Sequence, residues 1–128
     1  RAIAELASQN GVIFHTDAVQ AVGAIDINVK ELGIDLLSIS SHKIGGPKGV
    51  GALYKKKGTK IAKFMSGGEQ EDGLRAGTVN VPAIAGFGVA IEFATTDIDE
   101  KIKELESGEP IAYIDTPQFI ESISQFGV

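Results

Sequence analysis

The stretch Leu36-Leu37-Ser38-Ile39-Ser40-Ser41-His42-Lys43-Ile44-Gly45-Gly46-Pro47-Lys48-Gly49 decides how the rest of the chain is read. Its apolar start, rich in branched residues, reads as a buried strand, and the Gly-Gly-Pro-Lys-Gly run turns the backbone sharply at the strand's end. Between the two stand a pair of hydroxyls, an imidazole and an amine. A lysine whose surroundings favour its neutral form is a nitrogen nucleophile, so Lys43 is the candidate for joining an aldehyde cofactor. The ordinary fate of a loop lysine is solvation; the neighbours of Lys43 set it apart.

Working outward, Val12-Ile13-Phe14-His15-Thr16 reads as a second buried strand, too continuously apolar for an exposed edge, with Asp17 at its end. The chain between Asp17 and Leu36 is long enough for a crossover, with Asn28 and Glu31 spaced as a capping pair and Gly33 as a stop. The two strands are therefore read as parallel. Ligands of such sheets collect at the carboxyl ends of the strands, which puts Asp17, Ser40, His42 and Lys43 on one rim. Ala2 to Gln9 reads as a helix with Ile3, Leu6 and Ala7 on one face and Asn10-Gly11 as its stop. Val50 to Tyr54 reads as a strand, and Lys60 to Met65 as a further short one. Residues 66 to 80 lack periodicity and read as a long functional loop. From Pro82 a helix carries Ile84, Phe87, Ile91, Ala94, Ile98, Ile102 and Leu105 on one face, with a break at Thr95-Thr96-Asp97. Gly108-Glu109-Pro110 reads as a linker, followed by a strand over 111–114 and a short helix from Thr116.

Composition narrows the function classes. With 128 residues the chain has the length of one domain, and its net charge of −5 argues against a nucleic-acid partner, Lys55-Lys56-Lys57 being its one basic run. No apolar segment approaches the ~20 residues of a membrane helix, and no signal-peptide pattern opens the chain, so the expected location is cytoplasmic. The chain contains no cysteine, which excludes disulfides, zinc-thiolate sites and a cysteine nucleophile within these residues. Arg1 opens directly on a helical segment, which reads as a piece of something longer.

Pyridoxal phosphate asks a protein for an amine, an acid at the pyridine nitrogen, phosphate donors and ring contacts. Lys43 offers the first; Asp17 offers the second, its charge keeping the ring nitrogen protonated. Ser40 and His42 offer phosphate donors, and Gln20, one turn past Asp17, an amide for the ring hydroxyl. Each has a plainer reading: Asp17 as a turn residue, Ser40 as a small strand-end hydroxyl, Gln20 as an exposed side chain. His15 reads as a buried, hydrogen-bonded core histidine. His15, Asp17 and His42 make a conceivable two-histidine, one-carboxylate metal set, but no metal is assigned, because these residues lack a ligand spacing and leave Lys43 unexplained. The glycine loop lacks the Walker spacing.

Three blocks, Phe14 to Gln20, Ser38 to Tyr54, and Gly67 to Glu71 with Leu74 to Thr78, together resemble the cysteine desulfurases of the class V aminotransferase group. The resemblance covers roughly residues 1 to 105. It implies an α/β fold with a mainly parallel sheet flanked by helices, part of the large domain of a fold-type I enzyme, with residues 1–107 as that partial domain and 108–128 as a tail. It implies Lys43 as the Schiff-base lysine, Asp17 on the pyridine nitrogen, Gln20 on the ring hydroxyl, Ser40 and His42 on the phosphate, and Thr78 on the phosphate of a partner subunit, hence a homodimer. The implied reaction takes sulfur from L-cysteine, leaving L-alanine and an enzyme persulfide, for iron-sulfur cluster or thiocofactor assembly through a sulfur-acceptor scaffold protein. The chain departs from the pattern in three respects. It lacks the nucleophilic cysteine, it lacks the family's phosphate-binding turn, ring-stacking histidine and late arginine, and Glu69 stands where a third glycine is usual. The isolated chain is accordingly expected to be inactive. The alternatives are a non-catalytic interaction module and a related selenocysteine lyase or transaminase.

Overall fold

The computed structural model describes residues 1–107; the strand expected over 111–114 and the helix from Thr116 lie outside the described residues. Three strands form one sheet in the order β1 (His15–Asp17), β2 (Leu36–Ser40), β3 (Gly51–Lys55). β1 and β2 run parallel, with His15 opposite Leu36 and Asp17 opposite Ser38. The crossover between them is built of turns rather than a regular helix. The expected cap is present, Asn28 Oδ1 accepting from the Lys30 and Glu31 amides and Asn28 Nδ2 donating to Glu31, and Gly33 closes the segment with φ 68°. β3 returns antiparallel to β2, with Ser40 opposite Gly51 and Leu36 opposite Lys55. A connection as short as residues 41–50 forces this direction, since a parallel return needs a dozen residues or more. The α/β class holds, and the sheet is mixed among its described strands.

Strand alternation sorts the side chains by face. Leu37 and Ile39 point to the packed face, where Leu37 joins Ala18 and Ile34 in one core cluster and Ile39 bridges to a second of Ile44, Phe87, Ala90 and Ala94. The opposite face carries His15, Asp17, Ser38 and Ser40. This corrects the reading of His15 as a core residue: it is exposed, because period 2 puts it on the polar face beside Ser38. The segment 12–16 is corrected likewise. β1 is shorter than expected and is an edge among the described strands, with Val12 and Ile13 at least half exposed. A continuous apolar run reports a demand for cover, not which element supplies it.

α1 (Ala2–Gln9) keeps its predicted bounds and ends at Asn10, with Gly11 at φ 66°. It buries Ala4 and leaves Ile3 and Leu6 exposed. Lys60 to Met65 forms no strand and contributes only a bridge from Met65 to Arg75. In the loop over 66–80 the positive φ values fall on Gly67, Glu71, Asp72, Gly73 and Gly77, and not on Glu69. Asn80 Oδ1 accepts from the Ala83 amide and starts α2 (Val81–Thr95), with Pro82 in the first turn. The expected break falls at Thr96 and Asp97, the latter at φ 53°, before α3 (Ile98–Ser107). The buried face of α2 keeps Phe87, Ile91 and Ala94 of the predicted row and departs from it at Ile84. Ala83, Gly86, Phe87, Val89, Ala90 and Ala94 are buried, while Ile84 is 44% exposed.

Candidate functional site

The carboxyl ends of β1 and β2 lie side by side, so the segments that leave them, Asp17 onward and Ser40 onward, start from neighbouring points. After Ser40 the chain makes one turn of 3-10 helix, Ser41–Ile44, which carries His42 and Lys43 and stops at Gly45 with φ 80°. Residues in the left-handed region are strained unless they are glycine, so Gly45 ends the turn two residues after the amine.

Ser40 Oγ lies 2.8 Å from His42 Nδ1. If the serine donates, the imidazole proton sits on Nε2; if the imidazole donates, the serine hydroxyl hydrogen is released. Either tautomer leaves one polar hydrogen available to a ligand. His15 Nε2 and Ser38 Oγ repeat the pairing at 2.8 Å on the same sheet face. The His15–Ser38 pair was not singled out in the sequence, although the period that groups 38 with 40 and 15 with 17 carries the signal. Asp17 is exposed, and its Oδ1 accepts the Val19 amide hydrogen at 3.0 Å, the turn bond expected of a strand-end aspartate. Gln20 is exposed in that turn. Lys43 is exposed on its helical turn rather than enclosed in a cavity. Ser41 has 0% exposure, and its hydroxyl has no hydrogen-bond partner among the described residues.

Asp17, Ser40, His42 and Lys43 therefore share one rim. Thr78 stands on a different segment, exposed, two residues before the Asn80 cap of α2. Among the described residues no three histidine, aspartate or glutamate side chains come together as a metal site, and His15 and His42 bond to Ser38 and Ser40. An open groove of about 590 Å³ sits at the amino ends of the strands, lined by Arg1, Glu5, Glu31, Asp35 and Lys56. A smaller one of about 190 Å³ runs beneath Asp17 along Ala18, Ala21 and Leu37. Asp35, at the groove, accepts from the Phe14 amide at 3.0 Å and from Lys56 Nζ at 3.1 Å. The Phe14 hydrogen bond, followed by Lys56, holds its carboxyl below the usual aspartate value.

The chain is similar to known proteins over most of its length. The family model of class-V aminotransferases matches residues 1–115. The chain is 56% identical over 103 residues to the cysteine desulfurase IscS of Dictyoglomus turgidum and 55% identical over 103 residues to that of Methanosarcina thermophila. Each match takes in 80% of this chain and 26% of the relative, so the chain spans about a quarter of the length of the curated relatives it matches. Among solved structures, a NifS-like protein from Rickettsia africae superposes with a TM-score of 0.76 at 44% identity, over 84% of this chain and 31% of that one. The structure of SspA in complex with cysteine gives a TM-score of 0.68 at 40% identity, over 82% and 32%.

Proposed function

Because the chain belongs to the class-V aminotransferase family, we propose that it forms the cofactor-anchoring part of a cysteine desulfurase. The observation that carries this reading is the rim itself, with Ser40, His42 and Lys43 on one strand end and turn and Asp17 on the neighbouring strand end. Class V aminotransferases and cysteine desulfurases are pyridoxal phosphate enzymes, and the donor set present here is chemically suited to that cofactor: an exposed amine, an exposed carboxylate and a hydroxyl–imidazole pair with a hydrogen to give. When bound, pyridoxal phosphate supplies an electron-withdrawing ring that draws charge from the α-carbon of an amino acid. Lys43 Nζ provides the amine for its aldehyde. Asp17 holds the proton on the ring nitrogen, Gln20 binds the ring hydroxyl, and Ser40 with His42 binds the phosphate. Thr78 reaches the phosphate of a partner subunit in a homodimer, and residues 1–107 form the part of the large domain that bears these groups.

The substrate in this reading is L-cysteine, supported by the names of the relatives and by the cysteine-bound SspA structure. The sulfur passes to a thiol outside this chain, which has no cysteine. It then goes to a scaffold protein for iron-sulfur cluster or thiocofactor assembly in the cytoplasm. The test is to add pyridoxal phosphate, follow its visible absorption, reduce with borohydride and map the modified peptide. Label concentrated on Lys43 is the expected result. Label scattered over the surface lysines would refute the reading.

A further inference from the structure

Beside Phe87 on α2 runs a row of small residues at a spacing of four, Gly86, Ala90 and Ala94, and each meets a different point of the segments that follow Lys43 and Asp17. A Cβ on Gly86 would lie 2.8 Å from Pro47 Cγ. A Cβ on Gly46 would lie 2.8 Å from Ala90 Cβ and would overlap the Ser41 hydroxyl. A Cβ on Gly23 would lie 3.1 Å from Ala94 Cβ and 3.6 Å from Ile44 Cγ2. Distances near 2.8 Å leave no room for a further carbon, so the Gly86 backbone sits directly against the Pro47 ring and the Gly46 backbone against the Ala90 methyl, while Gly23 at 3.1 Å is the looser of the three contacts.

The two segments held in this way are the two that carry the proposed chemistry. Gly46 and Pro47 belong to the loop directly after Lys43, and Gly23 lies in the turn that carries Asp17 and Gln20. Ala90 and Ser41 are both 0% exposed, so the space beside Gly46 is filled from two sides. α2 is a single helix of 15 residues, started by Asn80 and Pro82, and a rod gripping two loops at fixed spacing fixes the loops relative to each other.

We propose that Gly86, Ala90 and Ala94 are positioning residues, whose small size sets the placement of the Lys43 loop relative to the Asp17 turn. The functional part of the proposal rests on the cofactor reading above; the mechanical part does not. Gly88, on the same helix, provides a matched control, because a Cβ there meets nothing within 4 Å.

The experiment compares Gly86→Ala, Gly88→Ala, Pro47→Ala and the double variant Pro47→Ala/Gly86→Ala in the full chain. Amide hydrogen exchange of residues 21–25 and 44–49 is read together with the rate of borohydride-trapped labelling of Lys43. Gly86→Ala is expected to speed exchange in both segments about fivefold and to slow Lys43 labelling about tenfold, since a displacement of order 1 Å carries such losses. Gly88→Ala stays within about twofold of the unsubstituted chain on both readouts. Removing the proline ring in the double variant restores both, because Cβ86 then occupies the space of Cγ47. If Gly86→Ala fails to fold, Pro47→Ala alone, which loosens the same contact, must still speed exchange in 44–49 and slow labelling. Exchange in both segments equal to that of Gly88→Ala overturns the proposal, and so does altered exchange with unaltered Lys43 labelling. Absence of Lys43 labelling in the unsubstituted chain refutes the cofactor reading instead, and the functional claim falls with it while exchange still decides the mechanical one.

Discussion

The two ends of the same sheet handle their polar groups in different ways. At the amino ends of the parallel strands, Asp35 is committed to the fold: it takes a hydrogen bond from the Phe14 amide and an ion pair from Lys56, which follows β3. One carboxylate thus ties β1, β2 and β3 together, and its proton affinity falls because those donors favour the charged form. At the carboxyl ends, Lys43 and Gln20 are exposed, Asp17 spends one oxygen on a local turn, and Ser40 and His42 bond to each other. The first arrangement uses charge for cohesion. The second keeps donors and acceptors available to a ligand.

The sharpest way to break this contrast is Lys43→Ala. It is expected to abolish borohydride trapping of pyridoxal phosphate at this site, at least about a hundredfold, while shifting stability by no more than about 0.5 kcal/mol, as is usual for an exposed side chain. Peptide mapping beside a thermal melt checks both halves, and a large loss of stability would mean that the amine serves the fold.

Asp17→Asn comes next. The amide oxygen still accepts from Val19, so the melt is expected to stay in place, whereas cofactor affinity falls about tenfold, or about 1.4 kcal/mol, once the charge beside the ring nitrogen is gone. Equilibrium titration of the visible cofactor absorption measures it.

Asp35→Ala has the opposite signature. It removes the acceptor of a half-buried amide and is expected to cost about 1–2 kcal/mol of stability, while Lys43 labelling stays within about twofold. The pH dependence has a definite sign. A carboxyl whose folded pKa is depressed contributes fully above its unfolded value of about 3.9, and that contribution is lost as pH falls through the lower folded value. Urea melts taken downward from about pH 6 are thus expected to lose stability less steeply in Asp35→Ala than in the unsubstituted chain. Equal slopes would show that Asp35 is not the group responsible.

Much of this was legible before any coordinates. The capping pair Asn28 and Glu31, the stop at Gly33 and the break near Asp97 come from local rules about hydrogen-bond donors and backbone freedom, which act within a few residues, and the parallel pairing of β1 with β2 comes from the length of chain between them. What was misread depended on distant partners. Val12 and Ile13 announce a buried strand, yet only the arrangement of the sheet shows β1 as an edge among the described strands. His15 reads as core until the register sets it opposite Leu36 on the polar face, where its ring bonds to the Ser38 hydroxyl. On α2 Phe87, Ile91 and Ala94 pack inward as their spacing suggests, but Ile84 is exposed and Gly86 and Ala90 are buried, because a helix that approaches neighbouring segments closely buries what is small.

By itself the sequence determined the chemistry available and its order along the chain: a carboxylate at one strand end, a hydroxyl, an imidazole and an amine at the next, and glycines where the backbone must turn. Side-chain chemistry and turn propensity are local, so they survive in one dimension. Only the tertiary structure decided that Asp35 binds the other end of the sheet together, and that Gly86, Ala90 and Ala94 lie against the loop after Lys43 and the segment after Asp17. Close packing is a property of pairs of distant residues, and no single residue carries it alone.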